Sequence, residues 1–417
     1  MAERTSTIAD PGLADEGDRR IAWVEKYSPL LNSLKDGALR DGALAGSRIA
    51  LAIHLEAKTA YLALVLADAG ADVTVGGSNP ATTRDDVCAA LVRRGVTVHA
   101  THGASRDEWE VELERVLDSE PEIIVDDGAE LVSRLVARKP ELVPNVLGSS
   151  EETTTGVVKL RAMERDGVLT WPAIPANDAY CKHLFDNRYG TGESTVSAIL
   201  KATNLLAAGK VVVVIGYGWV GKGVARYFDG MGARVVVSEV DEVKALEAVA
   251  DGHRAASLDE ACELGEWFVT CTGGIDAIRG VHFERMRDGA IVANAGHYGH
   301  EIDLGALREL STEVVEARDD VTEYRLPDGR RIHVVADGEL VNIAAGDGHA
   351  VEIMDLSFSV QALSAHYLAR NHERMRPGLN RLPEEIDRGI ARAKLATLGA
   401  SVDVLTPRQR EYVESWR

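Results

Sequence analysis

The residues best suited to chemistry in this chain fall in short polar blocks. Lys182, Asp186 and Asn187 lie within one of them. The i, i+4 spacing of Lys182 and Asp186 puts both on one face of a helix. The pair is either a surface ion pair or, with the lysine's pKa lowered by burial, a base. Glu122-Ile-Ile-Val-Asp126-Asp127-Gly128 reads as a strand ending in acids. One of these is a general base, or both are solvated turn carboxylates. In Ser149-Ser-Glu151-Glu152-Thr153-Thr154-Thr155-Gly156, Ser149 and Glu152 have the spacing of a capping box; the alternative is the polar lining of a site. His54 and His297 each follow an apolar run, and Asn342 and His349 flank Gly346-Asp347-Gly348. Taken singly, each block reads as well as structure as it does as chemistry.

The elements that must position these groups are α/β in pattern. Val211-Val-Val-Val-Ile-Gly216-Tyr-Gly218-Trp-Val-Gly221-Lys-Gly223 is an apolar strand running into G-x-G-x-x-G. Helical spacing follows at Val224, Ala225, Tyr227 and Phe228. A second strand, Ala233-Arg-Val-Val-Val-Ser-Glu239, ends in an acid. That acid stands near the roughly 20 residues expected for the carboxylate that receives a dinucleotide's ribose hydroxyls. A carboxylate there repels a 2′-phosphate, so the expected cofactor is NAD rather than NADP. Gly216, Gly218, Gly221 and Glu239 are therefore candidate cofactor residues. Upstream, Arg48-Ile-Ala-Leu-Ala-Ile-His54, Asp72-Val-Thr-Val75, Val96-Thr-Val-His99 and the run to Asp126 alternate with helical segments. They predict a second doubly wound sheet. Its chemistry belongs on loops at the carboxyl ends of its strands, where His54, Asn79 and Asp127 stand. A helix is expected over 194–208, and 350–380 reads as helical and packs back on the first domain. The predicted fold is thus α/β, two Rossmann-like domains plus a small tail: 1–180 completed by 350–381, then 190–345, then 382–417.

Composition excludes several classes. The 417 residues are 45% hydrophobic and 27% charged, which is globular. The net charge of −20 without a Lys/Arg run argues against nucleic acid. No apolar run has the length of a membrane span, and the polar start Met-Ala-Glu-Arg-Thr-Ser does not read as a secretory leader. Cys88, Cys181, Cys262 and Cys271 show no CxxC or metal spacing. They predict a reduced, cytoplasmic protein without a metal.

Together the blocks resemble one family. Asp-Asp-Gly, Ser-Glu-Glu-Thr-Thr-Thr-Gly, Lys-(x)2-Phe-Asp-Asn-(x)-Tyr-Gly, Gly-Tyr-Gly-(x)2-Gly-Lys-Gly and Asn-Ala-Gly-His occur in the order and spacing of S-adenosylhomocysteine hydrolase, from about residue 20 to the end. The resemblance implies tightly bound NAD that is recycled within each turnover. Oxidation of the ribose 3′-hydroxyl acidifies C4′–H. Loss of that proton expels the 5′ thiolate, water adds, and the hydride returns to C3′. By the same resemblance Lys182 and Asp186 handle the 3′-hydroxyl proton and Glu152 binds the ribose hydroxyls. Asp127 serves C4′, and His54 with His297 serve sulfur and water, with roles interchangeable among them. Asn187, Thr153, Thr154, Thr155, Asn342 and His349 line the nicotinamide and substrate junction. A homotetramer is implied, with 382–417 as an oligomerisation tail.

The chain departs from the family pattern in places. The first loop reads His54-Leu-Glu56-Ala-Lys58-Thr59, with Lys58 where Glu or Gln usually accepts from an adenine 6-amino group. Lysine has donors only. The His-x-Glu-x-Lys pattern resembles the branch associated with S-inosylhomocysteine; alternatively Lys58 pairs with Glu56 and the pocket takes adenine. Arg84 replaces the usual Gln, Tyr298-Gly299-His300 replaces Phe-Asp-x, and Trp219 and Lys244 replace Asp and Asn. Glu56, Lys58, Asn79, Arg84 and His300 are the candidate substrate residues, and Lys244 a candidate cofactor residue. The tail ends at Ser415-Trp416-Arg417 without the Lys/Tyr segment of longer members, which puts cofactor exchange in question. Gly299 and His300 raise an alternative outcome: a lyase that stops after 5′-elimination and leaves a 4′,5′-unsaturated nucleoside.

Overall fold

The computed structural model of the chain describes residues 5–416. The polar start at Met1 to Arg4 and the last residue, Arg417, lie outside them. Six parallel strands open the architecture: β1 (Arg48–Ile53), β2 (Asp72–Gly77), β3 (Thr97–His99), β4 (Ile123–Asp126), β5 (Gly148–Glu151) and β6 (Pro172–Ile174). Eight more follow: β7 (Val211–Ile215), β8 (Arg234–Ser238), β9 (Arg254–Ala255), β10 (Trp267–Thr270), β11 (Ala290–Asn294), β12 (Glu313–Arg318), β13 (Val321–Arg325) and β14 (Arg331–Val335). A last short strand, β15 (Gly378–Leu379), returns to β6. The orders are β15-β6-β5-β4-β1-β2-β3 and β12-β13-β14-β11-β10-β7-β8-β9.

Strand chemistry explains both sheets. In β1, Ile49, Leu51 and Ile53 join one core while Ala50 and Ala52 join the core on the opposite face. In β7, Val212 and Val214 face one core and Val213 and Ile215 the other. A strand covered on both faces must be apolar at every position, which is why the valine run is continuous rather than alternating. The antiparallel strands β12 and β13 carry charged and exposed positions and form an edge. That edge lies within the stretch assigned to the dinucleotide fold, but its strands are not apparent in the sequence.

Each sheet reverses its winding once, at β4/β1 and at β10/β7. Ligands in open α/β sheets bind outside the carboxyl ends of the strands at such a switch. His54 directly follows β1 and Asp127 directly follows β4, so the first switch brings them together. The long helix Val351–Asn371 buries Phe358 and Leu368 in the core of the first sheet. Its buried polar face carries Ser357 and Gln361 toward the site. The helix expected over 194–208 runs instead over Thr191–Thr203 and ends at Asn204 in the left-handed region.

Candidate functional site

Between the two sheets opens a cleft of about 1510 Å³, and most of the candidate residues line it. Its centre is a buried cation among carboxylates. Lys182 Nζ donates to Asp186 Oδ1 at 3.0 Å and Asn187 Oδ1 at 2.8 Å, and lies 3.3 Å from Glu152 Oε1. Lys182 lies in the short helix Tyr180–His183, and Asp186 opens a π-turn over Asp186–Gly190. The i, i+4 relation therefore holds, but in a buried group rather than a surface pair. Burial pushes the Lys182 ammonium down, yet Asp186 and Glu152 outweigh it and hold the lysine above its ordinary value. The expectation of a lysine lowered by burial is thus corrected for the protein by itself.

Each carboxylate is held from the first-sheet side. Asp186 Oδ2 accepts from Ser357 Oγ at 2.7 Å, and His349 Nδ1 lies 3.5 Å from Oδ1. Burial opposes its charge, but Lys182 and His349 keep Asp186 below the usual carboxylate range. Glu152 Oε2 accepts from Gln361 Nε2 at 2.6 Å, while Gln361 Oε1 accepts from Ser150 Oγ at 2.6 Å. Burial raises Glu152 to about 7 against the pull of Lys182. Asn187 completes the group, donating to Asn177 Oδ1 at 3.0 Å. Ser357, Gln361 and Ser150 were not singled out in the sequence. Ser357 and Gln361 stand i, i+4 on a helix that also carries Asp355, Ser359 and Ser364, so nothing in the sequence set them apart.

Opposite stand His54, Asp127 and His297. His54 Nε2 lies 3.5 Å and His297 Nδ1 3.8 Å from the Asp127 carboxylate. Thr82 Oγ1 engages His54 Nδ1 at 2.7 Å, and Ser78 Oγ donates to Asp127 at 3.3 Å. Burial lowers both imidazoles to about 4 and raises Asp127, so the rings are neutral at neutral pH. The ligand atoms of the three lie within 4.8 Å of one another, a donor set that would also suit a divalent cation. No sequence spacing pointed to it, because the three come from separate strand ends.

The neighbouring acids prove to be scaffolding. Asp126 accepts from the backbone N–H groups of Asp127, Leu131 and Val132, at 3.0, 3.2 and 2.9 Å. Glu151 accepts from those of Gly128, Ala129 and Thr153, at 2.8, 2.9 and 2.9 Å. Of the Asp-Asp pair, Asp127 alone faces the cleft. The capping box expected from Ser149 and Glu152 does not form. Ser149 lies in β5 and accepts from Trp171 Nε1 at 3.0 Å, and the following helix begins at Thr154. The β5 strand consumes the residues that a cap would need.

The second sheet supplies a dinucleotide cradle. Gly216 has φ +95°, and a Cβ on Gly221 would lie 1.9 Å from the Gly216 carbonyl oxygen. Glycine at 221 thus lets the helix Trp219–Gly230 start against the turn. That helix has no side-chain cap, so its first N–H groups are left for an anion. Glu239 accepts from Tyr217 N at 2.6 Å and Val240 N at 2.7 Å, and it lines the cleft with Gly216, Gly218 and Lys244. Farther along the cleft, Asn342 Oδ1 and Thr155 Oγ1 are buried without a protein partner, as polar atoms awaiting a ligand are. These features fit NAD. Thr153, Thr154 and His349 also line the cleft, with His349 Nε2 3.0 Å from Thr191 Oγ1.

At another part of the cleft Lys58 is buried. Its Nζ lies 2.8 Å from Glu56 and donates to the Asp347 carbonyl at 2.8 Å. His300 lines the cleft and stacks on Tyr298. Asn79 and Arg84 are not on the cleft wall. Asn79 donates to Glu339 at 3.3 Å, and Arg84 donates to the Gly346 carbonyl at 3.2 Å, tying the loop beyond β2 to the segment before His349.

Comparison with known proteins agrees with this geometry. The family model described as "S-adenosyl-L-homocysteine hydrolase" matches residues 5–143, and that of its NAD binding domain matches residues 187–348. An adenosylhomocysteinase of Pyrococcus abyssi is 51% identical, covering 98% of this chain and 97% of its own. The chain belongs to the S-adenosylhomocysteine hydrolase family. It is an NAD-dependent enzyme of that family. Two relatives named S-inosyl-L-homocysteine hydrolase are nearly as similar. That of Methanopyrus kandleri is 48% identical over 100% of this chain and 98% of its own; that of Methanocaldococcus jannaschii is 47% identical over 98% and 99%. Overall identity to the family therefore does not choose the base. The elimination-only alternative gains no support from these relatives. Among the described residues no helix is long and apolar enough to cross a membrane.

Proposed function

We propose that the cleft hydrolyses, reversibly, the thioether of a purine-nucleosyl homocysteine, with S-inosyl-L-homocysteine preferred over the adenosyl form. The observation that carries the reaction is the opposition, across one cleft, of Lys182–Glu152–Asp186 and His54–Asp127–His297. Gly216, Gly218, Glu239, Lys244, Asn342 and the three threonines would hold NAD, which would supply reversible oxidation of the 3′ carbon. Glu152 and Lys182 hold the ribose hydroxyls, and the 3′ proton passes into their shared ion group. Glu152, at about 7, lies closest to neutrality, as a group exchanging protons near pH 7 must. Asp127, raised by burial, takes the proton from C4′. The proton that Asp127 takes passes through the adjoining His54 and His297 rings, neutral at rest, to the departing sulfur, and the same rings receive one from the entering water. His54 and His297 share the transfers at sulfur and water, with their two roles interchangeable.

The base preference rests on Lys58. Of its three N–H donors, two meet Glu56 and the Asp347 carbonyl. The third suits a 6-oxo group, and the Glu56 carboxylate suits the adjacent N1–H. A 6-amino group facing that donor leaves a buried mismatch of about 1–3 kcal/mol. Replacing Lys58 with Gln, which both donates and accepts, lowers the inosyl/adenosyl ratio of kcat/KM by about tenfold or more. An unchanged ratio defeats the base assignment. Four buried free cysteines suit a reducing compartment, supporting a cytoplasmic setting. Exposed Val402, Val404, Leu405, Tyr412, Val413 and Trp416 support the tail's role in a homotetramer.

A further inference from the structure

We propose that Tyr298 is a positioning residue that holds His297 against Asp127 by clasping the two sides of the cleft. Resting on the catalytic reading above, the clasp assigns His297 a dedicated support. Tyr298 lies on the loop beyond β11, in the second sheet, directly after His297. Its hydroxyl reaches the first-sheet side, donating to Glu130 Oε1 at 2.7 Å and accepting from Lys159 Nζ at 2.9 Å. Glu130 is buried and bound by Arg134 at 2.6 Å, and Lys159 also donates to the Gly128 carbonyl at 2.8 Å. The phenol is therefore inserted into a charged pair anchored at the Asp127 turn. On its own side, the Tyr298 carbonyl accepts from Asn294 Nδ2 at 3.0 Å, and its ring meets the His297 ring edge-on at 4.3 Å. A Cβ on Gly128 would fall 2.6 Å from the Tyr298 hydroxyl and 2.8 Å from His297 Nε2, so the loops are in close apposition. Hydrogen bonds to charged partners give this clasp its strength. It touches none of Lys182, Glu152 or Asp186. It therefore serves the steps that His297 serves, and not 3′ oxidation.

The test compares wild type with Tyr298→Phe, which keeps the ring packing and removes only the hydroxyl. With purified NAD-containing protein and S-inosylhomocysteine, one follows the rate of nicotinamide reduction, its steady-state level and product formation. The clasp predicts that turnover falls about tenfold while reduction stays within about twofold of wild type. Reduced nicotinamide then accumulates. Lys159→Met, which leaves the bond to Glu130, shows the same pattern with a smaller loss. Unchanged turnover in Tyr298→Phe overturns the proposal. So does an equal loss in reduction and turnover, which would make the clasp a general tie between the halves. A wild-type protein that reduces no nicotinamide fails in the control arm and overturns the underlying reading as well.

Discussion

Replacing Lys182 with Met should separate cofactor binding from cofactor use, and should do so with a pH-dependent loss of stability. The substitution keeps a long side chain but removes the only side-chain cation within 4 Å of both Glu152 and Asp186, at 3.3 and 3.0 Å among the described residues. Breaking a buried ion pair from one side costs about 3–5 kcal/mol, because a charge is left uncompensated. Each carboxylate keeps other partners, Asp186 Ser357 and the His349 contact and Glu152 Gln361, and each loses its lysine. Glu152 already stands at about 7 against an ordinary 4.5, and Lys182 is what holds it down. Without the lysine its folded pKa climbs further. A carboxyl whose folded pKa is raised carries no penalty below the unfolded value, and stability is lost as pH climbs from the unfolded to the folded value, so a higher folded value extends the loss to higher pH. The variant should therefore be less stable than wild type at pH 6, where Asp186 has lost its cation, and less stable still at pH 9, where ionising Glu152 adds a second penalty, measured by denaturant midpoint. NAD released from denatured protein should match wild type, since Lys182 is outside the glycine cradle, while added substrate should give no reduced-nicotinamide band. A penalty equal at both pH values would refute the electrostatic reasoning. Reduction at the wild-type rate would refute the role.

Gln361→Met removes a hydrogen bond that lowers the Glu152 pKa; the acid limb of kcat/KM, on which activity falls as Glu152 gains a proton, should move to higher pH, and an unmoved limb would detach that limb from Glu152. Gly128→Ala forces a Cβ toward the Tyr298 hydroxyl and His297 Nε2 at a residue with φ +78°; shifts near 1 Å at a catalytic group cost about 100-fold, so steady-state turnover should drop by that order with NAD content unchanged, and wild-type turnover would contradict the packing.

Legibility in the sequence followed local physics. The Val211 run and its glycines announced a cofactor cradle because a twice-covered strand and a left-handed Gly216 each leave an unambiguous local mark. His54, Asp127 and His297 were legible as strand-end residues, though their convergence required the sheet order. Lys182 and Asp186 were visible as a pair. What they would do to each other's charge was not, since Glu152 arrives from another strand. The supports were hidden: Gln361 and Ser357 sit on a helix read only as helix, and Tyr298 showed only as a departure. The strands β12 and β13 were obscured by exposed charges.

Oxidation, cleavage and re-reduction of a nucleosyl thioether in one cleft leave a signature that a single experiment can read. The most direct measurement offers S-inosyl- and S-adenosyl-L-homocysteine side by side to the purified protein, follows the nicotinamide band and identifies the products by mass. Transient reduction, free nucleoside and homocysteine as end products, and a higher kcat/KM for the inosyl substrate are expected. A 4′,5′-unsaturated nucleoside as the main product, or no nicotinamide reduction with either substrate, would contradict this reaction course.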